Sequence, residues 1–218
     1  QVYPDYDRVV HQWRWEIPQF EAFVGGLDFG GTTIGSHKSA GVFSGVIKDT
    51  DILVCLKEFE EAGPRVGENQ INWMAECEAY GIMLNKRHSR TPPPTYWFAD
   101  KTQFRFIEMM RGAGYAISPS RGGADSVMSG IQLVQNRLKV RPDGKARLYL
   151  APDLKYLPDA LERYRFPELK DEDQVQSKNP LKVNDDLVDA LRYQVEGKDA
   201  LVIGDPMEVY GQLLPGVV

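Results

Sequence analysis

The sequence is poor in the residues that stabilise small extracellular proteins. Only 2 of its 218 residues are cysteine, too few for a disulfide framework, so Cys55 and Cys77 are expected as buried free thiols in a reducing compartment. No stretch approaches the ~20 consecutive apolar residues of a membrane-spanning helix, and no membrane association is expected. The opening residues carry Asp5 and Asp7 and no apolar core, unlike a signal peptide. The three histidines, His11, His37 and His88, are scattered, and no Cys/His group has zinc-site spacing. There is no Gly-x-x-x-x-Gly-Lys-Ser/Thr run, which excludes a P-loop nucleotide site. Nor is there a surplus of cations: 26 Lys and Arg against 31 Asp and Glu give a net charge of −5, an average that argues against a phosphate-binding surface. What remains is ordinary globular composition, 42% hydrophobic and 26% charged. A chain of this length buries about 70% of its unfolded surface around one core. It begins with Gln rather than Met, and is expected to be part of something longer.

The hydrophobic pattern is mixed. Residues 21–28, 39–47 and 51–59 read as three strands with short connections, an antiparallel meander. Residues 69–85 have helical spacing, with Ile71, Met74, Ala75, Ile82 and Met83 in register. Pro92-Pro93-Pro94 ends that stretch, and Tyr96-Trp97-Phe98-Ala99 reads as a buried strand. Residues 102–111 and 126–140 read as helices, with a short strand at 115–118 between them. Pro142-Asp143-Gly144 predicts a β-hairpin joining 138–140 to 148–150. Helices follow at 154–164 and 186–196, a polar loop at 170–180, and a loosely held tail from 198 to 218 after a domain spanning 1–197. The fold class is therefore α/β, a mixed sheet with antiparallel and parallel strands, flanked by helices and carrying an extra hairpin. In such sheets chemistry gathers at the carboxyl ends of the parallel strands.

Two strands end in an aspartate, Asp28 and Asp100. If these strands are parallel neighbours, the two carboxylates meet at one sheet edge. A third acidic group lies in Asn184-Asp185-Asp186-Leu187-Val188-Asp189. On a helix, Asp185 and Asp189 are four apart and Asp186 and Asp189 three apart, so each pair shares a face; Asp185 also reads as an N-cap. Converging carboxylates raise one another's pKa and are stabilised by a hard cation such as Mg²⁺ or Mn²⁺. Two such ions can activate a water and stabilise the leaving oxygen of a phosphodiester.

Several segments together resemble the nuclease domain of the phage terminase large subunit, part of the DNA-packaging motor of tailed bacteriophages. They are Tyr3-Pro4, Gly26-Leu27-Asp28-Phe29-Gly30, Trp97-Phe98-Ala99-Asp100, the stretch from Gly130-Ile131 to Leu138, and Asn184 to Tyr193. The closing Asp-Ala-Leu-Arg-Tyr, preceded by Glu162-Arg163-Tyr164-Arg165, is the most specific of them. The resemblance implies an RNase H-like fold and a metal-dependent endonuclease acting on concatemeric double-stranded DNA. It implies catalytic, metal-binding roles for Asp28 and Asp100, completed by Asp189 or by one of Asp185 and Asp186. Many relatives have His at the position of Asp186, and many have a Lys near Arg121. The resemblance further implies an ATPase motor domain upstream, a portal and a small terminase subunit as partners, and a place in the host cytoplasm, transiently at the procapsid portal.

Two other readings stand beside it. Gly26-Leu27-Asp28-Phe29-Gly30-Gly31-Thr32-Thr33 is similar to the phosphate loop of glucokinase-like sugar kinases. Another RNase H-like enzyme, of resolvase or transposase type, would use the same acids. The charge itself is unevenly distributed. Residues 86–147 hold 12 Lys and Arg against 4 Asp and Glu, a net of +8, leaving −13 for the rest. Lys139, Arg141, Lys145 and Arg147 surround the predicted hairpin and, with Arg121, are the candidate DNA contacts. No base-reading helix is evident, so low sequence specificity is expected.

Overall fold

The computed structural model describes residues 1–31, 37–63, 65, 67–120, 126–167, 179–183 and 185–201. Six strands form one sheet in the order β5-β4-β1-β2-β3-β6. They are β1 (Phe20–Asp28), β2 (Ser39–Ile47), β3 (Leu53–Glu61), β4 (Thr95–Ala99), β5 (Ile117–Pro119) and β6 (Leu148–Leu150). The meander β1-β2-β3 is antiparallel, as its short connections predict. β4 pairs with β1 in parallel, β5 with β4, and β6 with β3. The helices are α1 (Arg8–His11), α2 (Glu68–Asn85), α3 (Phe104–Gly112), α4 (Ser126–Leu138), α5 (Tyr156–Arg163) and α6 (Asp186–Ala200). Among the described residues no helix is long and apolar enough to cross a membrane.

Alternation along the central strands creates two cores. Ala22 and Val24 of β1, with Tyr96 and Phe98 of β4, face a cluster built with α4, α5, α6 and the N-terminal Val2 and Tyr3. Phe23, Leu27 and Trp97 face the other side, where Trp73, Met74 and Cys77 of α2 and Ile107 and Met110 of α3 cover them. Both cysteines are buried and free. α6 is the central helix, buried on nearly all sides. It lies so close to β1 that a Cβ at Gly26 would run into the Ala190 carbonyl oxygen. Gln194 fixes its register: its amide donates to the carbonyls of Val24 (2.8 Å) and Val42 (3.1 Å), and Ser44 donates to its oxygen (2.9 Å).

The predicted hairpin takes a different form. Leu138 is the last residue of α4, and Lys139 still donates to the Gln135 carbonyl (3.1 Å), so residues 138–140 do not form the expected strand arm. A tight turn follows, closed by Arg141 N–H to the Lys145 carbonyl (3.0 Å), with Gly144 at φ 76°. Residues 148–150 then pair in parallel with β3. Burial decides the matter: Val134 and Leu138, four apart, are both fully buried on one helical face, and an extended arm would withdraw Leu138 from it. α6 continues to Ala200, past the helix end expected at residue 196.

Candidate active site

β1 and β4 run in register, with Leu27 beside Ala99, so the next residues, Asp28 and Asp100, leave the sheet side by side. Alternation puts both on the face toward α6, the face that Gly26 and Phe98 share. α6 begins at that same edge. Asp185 occupies its N-cap position and Asp186 and Asp189 its first turn, where carboxylates oppose the positive end of the helix dipole. The parallel pairing of β1 with β4 and the seating of α6 over β1 bring the three acidic groups to one place.

The side chains divide the work unevenly. Asp100 accepts from the backbone N–H of Thr102 (2.9 Å), capping a 3₁₀ turn at Lys101–Gln103. Asp185 is buried but makes no capping hydrogen bond, so the cap role suggested by its position is not what its carboxylate does. Asp189 accepts from Arg192 twice on one oxygen, Nη2 at 3.0 Å and Nε at 3.3 Å. Asp186 is buried, with Nδ1 of the largely exposed His37 at 4.0 Å.

The electrostatics follow from this crowding. Burial pushes Asp28 up to about 8, reinforced in turn by the charges of Asp189, Asp186, Asp100 and Asp185. Burial, then Asp185, raises Asp186 to about 6, with His37 opposing. Asp189 is raised by burial while Arg192 pulls it back down. Four aspartates therefore act on the fifth. Among the described residues no three His, Cys, Asp or Glu side chains close into a metal-holding group. The acids are within electrostatic reach of one another without enclosing a point. As a donor set they are all hard oxygens, which suits Mg²⁺ or Mn²⁺ over softer metals.

A cleft of about 330 Å³ opens beside them, lined by Asp100, Asp185 and Asp189 together with Lys101, Ser120 and Lys182. Arg192, which reasoning from the sequence missed, is the structural centre of this site. It is 4% exposed, pairs with Asp189, reaches Glu196 (3.4 Å) and lies over the Tyr193 ring at 4.5 Å. Gly130 of α4 makes room for it: a Cβ there would overlap Glu196 and the Arg192 stem. The helical signal was present in the sequence, since Asp189, Arg192 and Glu196 are three and four apart.

The other candidate cations lie elsewhere. Arg121 is outside the described residues. Lys139, Arg141, Lys145 and Arg147 belong to the turn before β6, next to the start of β3. Register places that turn opposite Ala22, six residues from Asp28 along β1, or about 20 Å at ~3.3 Å per residue. Two of the four are already paired: Arg147 with Asp51 and Asp143 (2.7 Å each), and Arg141 with Asp51 (3.4 Å).

No protein-family model matches the sequence, and neither does any curated protein. Solved structures do match the fold. The large terminase of a thermophilic bacteriophage, in complex with ADP, superposes with a TM-score of 0.65 at 18% identity, over 93% of this chain and 45% of that one. The P22 large terminase nuclease domain gives 0.61 at 17% identity, covering 91% and 92%. The large terminase nuclease domain of bacteriophage SPP1, with bound Mn, gives 0.55 at 18%, covering 84% and 90%. The chain thus has the RNase H-like fold of large terminase nuclease domains. It spans less than half the length of the ADP-bound large terminase.

Proposed function

We propose that this chain is a divalent-metal-dependent endonuclease that cuts concatemeric double-stranded DNA during phage genome packaging. The observation that carries the reading is the meeting of Asp28, Asp100 and the first-turn acids of α6 at the carboxyl ends of two adjacent parallel strands, in this fold. Asp28, Asp100 and Asp189, with Asp185 or Asp186, would hold Mg²⁺ or Mn²⁺, two ions in the full site. When bound, the ions would supply an activated water and offset charge on the leaving oxygen. The chain's own residues prepare the place. Asp28 and Asp100 are fixed by strand pairing, and Asp189 is held by Arg192. Lys101 and Lys182 line the cleft that a phosphodiester would enter. None of these contacts reads a base, so cleavage of low sequence specificity follows. In the full-length protein the cut would be coupled to an ATPase motor domain upstream. The portal and small terminase subunit would be partners, in the host cytoplasm.

The test is conversion of supercoiled plasmid to nicked and linear forms with Mg²⁺ or Mn²⁺. The wild-type chain is expected to cut and Asp28→Ala to be inactive while still folded. A wild-type chain that leaves plasmid intact with either ion removes the proposal. ATP binding without cutting would favour the sugar-kinase reading instead, whose loop runs into residues 32–36, outside the described part.

A further inference from the structure

A second cleft, of about 480 Å³, adjoins the carboxylate cleft. Tyr164 lines both, and residues 179–183 contribute to both, Leu181 and Val183 to one and Lys182 to the other. The new cleft runs along α5. Glu58 of β3 sets the start of that helix by accepting from the backbone N–H groups of Lys155 (2.7 Å), Tyr156 (3.0 Å) and Leu157 (2.7 Å). Beyond the helix the chain is extended and pinned on both sides. The Tyr164 carbonyl accepts from Val2 N–H (2.8 Å), and the Arg165 carbonyl from Leu181 N–H (2.9 Å). Tyr164 turns inward and is buried, while the flanking Arg163 and Arg165 turn out to solvent. Arg163 keeps 77% of its side chain exposed, with only a long 3.8 Å approach to Asp159, which is itself taken by Arg8. Around these cations stand exposed apolar groups, Tyr156, Leu181 and Val183.

We propose that this cleft is the track for the DNA strand on one side of the scissile phosphate. Arg163, Arg165 and Lys182 contact successive phosphates, and Tyr156 with Val183 lies against the sugar edge. Charge complementarity and continuity favour DNA: the two acids of the cleft, Glu60 and Asp159, are paired with Lys38 and Arg8, so Arg163 and Arg165 leave it net positive. Cations on a fixed backbone lead directly into the acid-lined cleft, whereas the turn at 141–147 lies at the far end of the sheet. The inference rests on the nuclease reading and adds where the substrate runs.

The experiment measures binding of the whole chain to a fluorescent 30-base-pair duplex in chelator, from 50 to 200 mM salt. Arg163→Gln/Arg165→Gln is compared with the charge-matched Arg14→Gln/Lys48→Gln. Each lost phosphate contact lowers the log–log salt slope by about 0.9. The cleft pair is therefore expected to lower it by about 2, with affinity at 50 mM salt down at least tenfold, and the control pair by less than 1. Thermal melts check that both pairs fold; both sites are exposed, and a single Arg165→Gln, expected to lower the slope by about 1, serves if the double variant does not. Equal slopes for the two pairs overturn the inference, as does a cleft that binds an acidic peptide but leaves duplex binding unchanged. A wild-type chain that binds and cuts DNA while the slopes are equal defeats this inference alone; one that never cuts defeats the nuclease reading.

Discussion

Replacing Asp28 with asparagine should stabilise the metal-free protein while ending the proposed cleavage. In the folded chain Asp28 is held up at about 8, from an ordinary 3.8, by burial and by four neighbouring aspartates. The unfolded chain releases this proton near pH 4 and the folded chain keeps it, so stability falls as pH rises from about 4 to about 8. Roughly four pH units at ~1.4 kcal/mol each set a ceiling of about 5–6 kcal/mol. Side-chain relaxation and water entry absorb part of it, and a gain of about 2–3 kcal/mol is expected for Asp28→Asn at pH 8. At roughly 2–4 °C per kcal/mol for a domain of this size, Tm should rise by about 5–10 °C. Differential scanning fluorimetry in chelator at pH 4, 6, 8 and 9 reads it. The gain should be near zero at pH 4, grow through pH 8 and then level off. Millimolar Mn²⁺ should raise the Tm of the parent but not of the variant. Equal melting of the two proteins at pH 8 in chelator would refute the reasoning, because burial and the neighbouring carboxylates would then not be opposing a charge on Asp28.

Other substitutions probe the frame of the site. Arg192→Gln removes both donors to Asp189 and leaves that half-buried carboxylate and the buried Glu196 without their cation. It should raise the Mn²⁺ concentration for half-maximal binding about tenfold by isothermal titration, with Arg192→Lys recovering part of the loss and a folded spectrum retained. Gly26→Ala puts a methyl group against the Ala190 carbonyl, and α6 must lift from β1; a loss of about 1–3 kcal/mol in urea titration is expected. Glu58→Ala exposes three backbone N–H groups at the start of α5. It should cost about 1–2 kcal/mol and increase amide exchange at residues 155–157 without affecting residues of β1.

Much of the frame was legible in the chain. The meander, β4 and α6 follow from apolar patterning, and residues 39–47 form a strand with the predicted ends. α2 forms over the predicted span but turns a different face inward: Met74 is buried with Trp73 and Cys77, while Ala75, Ile82 and Met83 of the predicted face are exposed. Asp28 and Asp100 could be picked out because a carboxylate closing a buried strand contradicts the pattern before it. Errors arose where a local signal competed with burial. Pro142-Asp143-Gly144 makes a turn, but α4 runs on to Leu138, which must reach the core, and residues 139–141 pair with no strand. An arginine within a helix reads as solvated from sequence, and it is the close approach of α4 at Gly130 that covers Arg192.

By itself the sequence determined the kinds of element, the acids at their ends and the helical spacing that joins Asp185, Asp186 and Asp189. These depend on neighbours within a few residues. Only the tertiary structure decided that β4 lies beside β1, that α6 crosses above both, and that the cations of residues 139–147 stand about 20 Å further along the strands while Arg163 and Arg165 lead into the acid cleft. The strand pairing and the seating of α6 join residues more than seventy positions apart, and they are set by which apolar faces bury one another, a choice that no local stretch of chain contains.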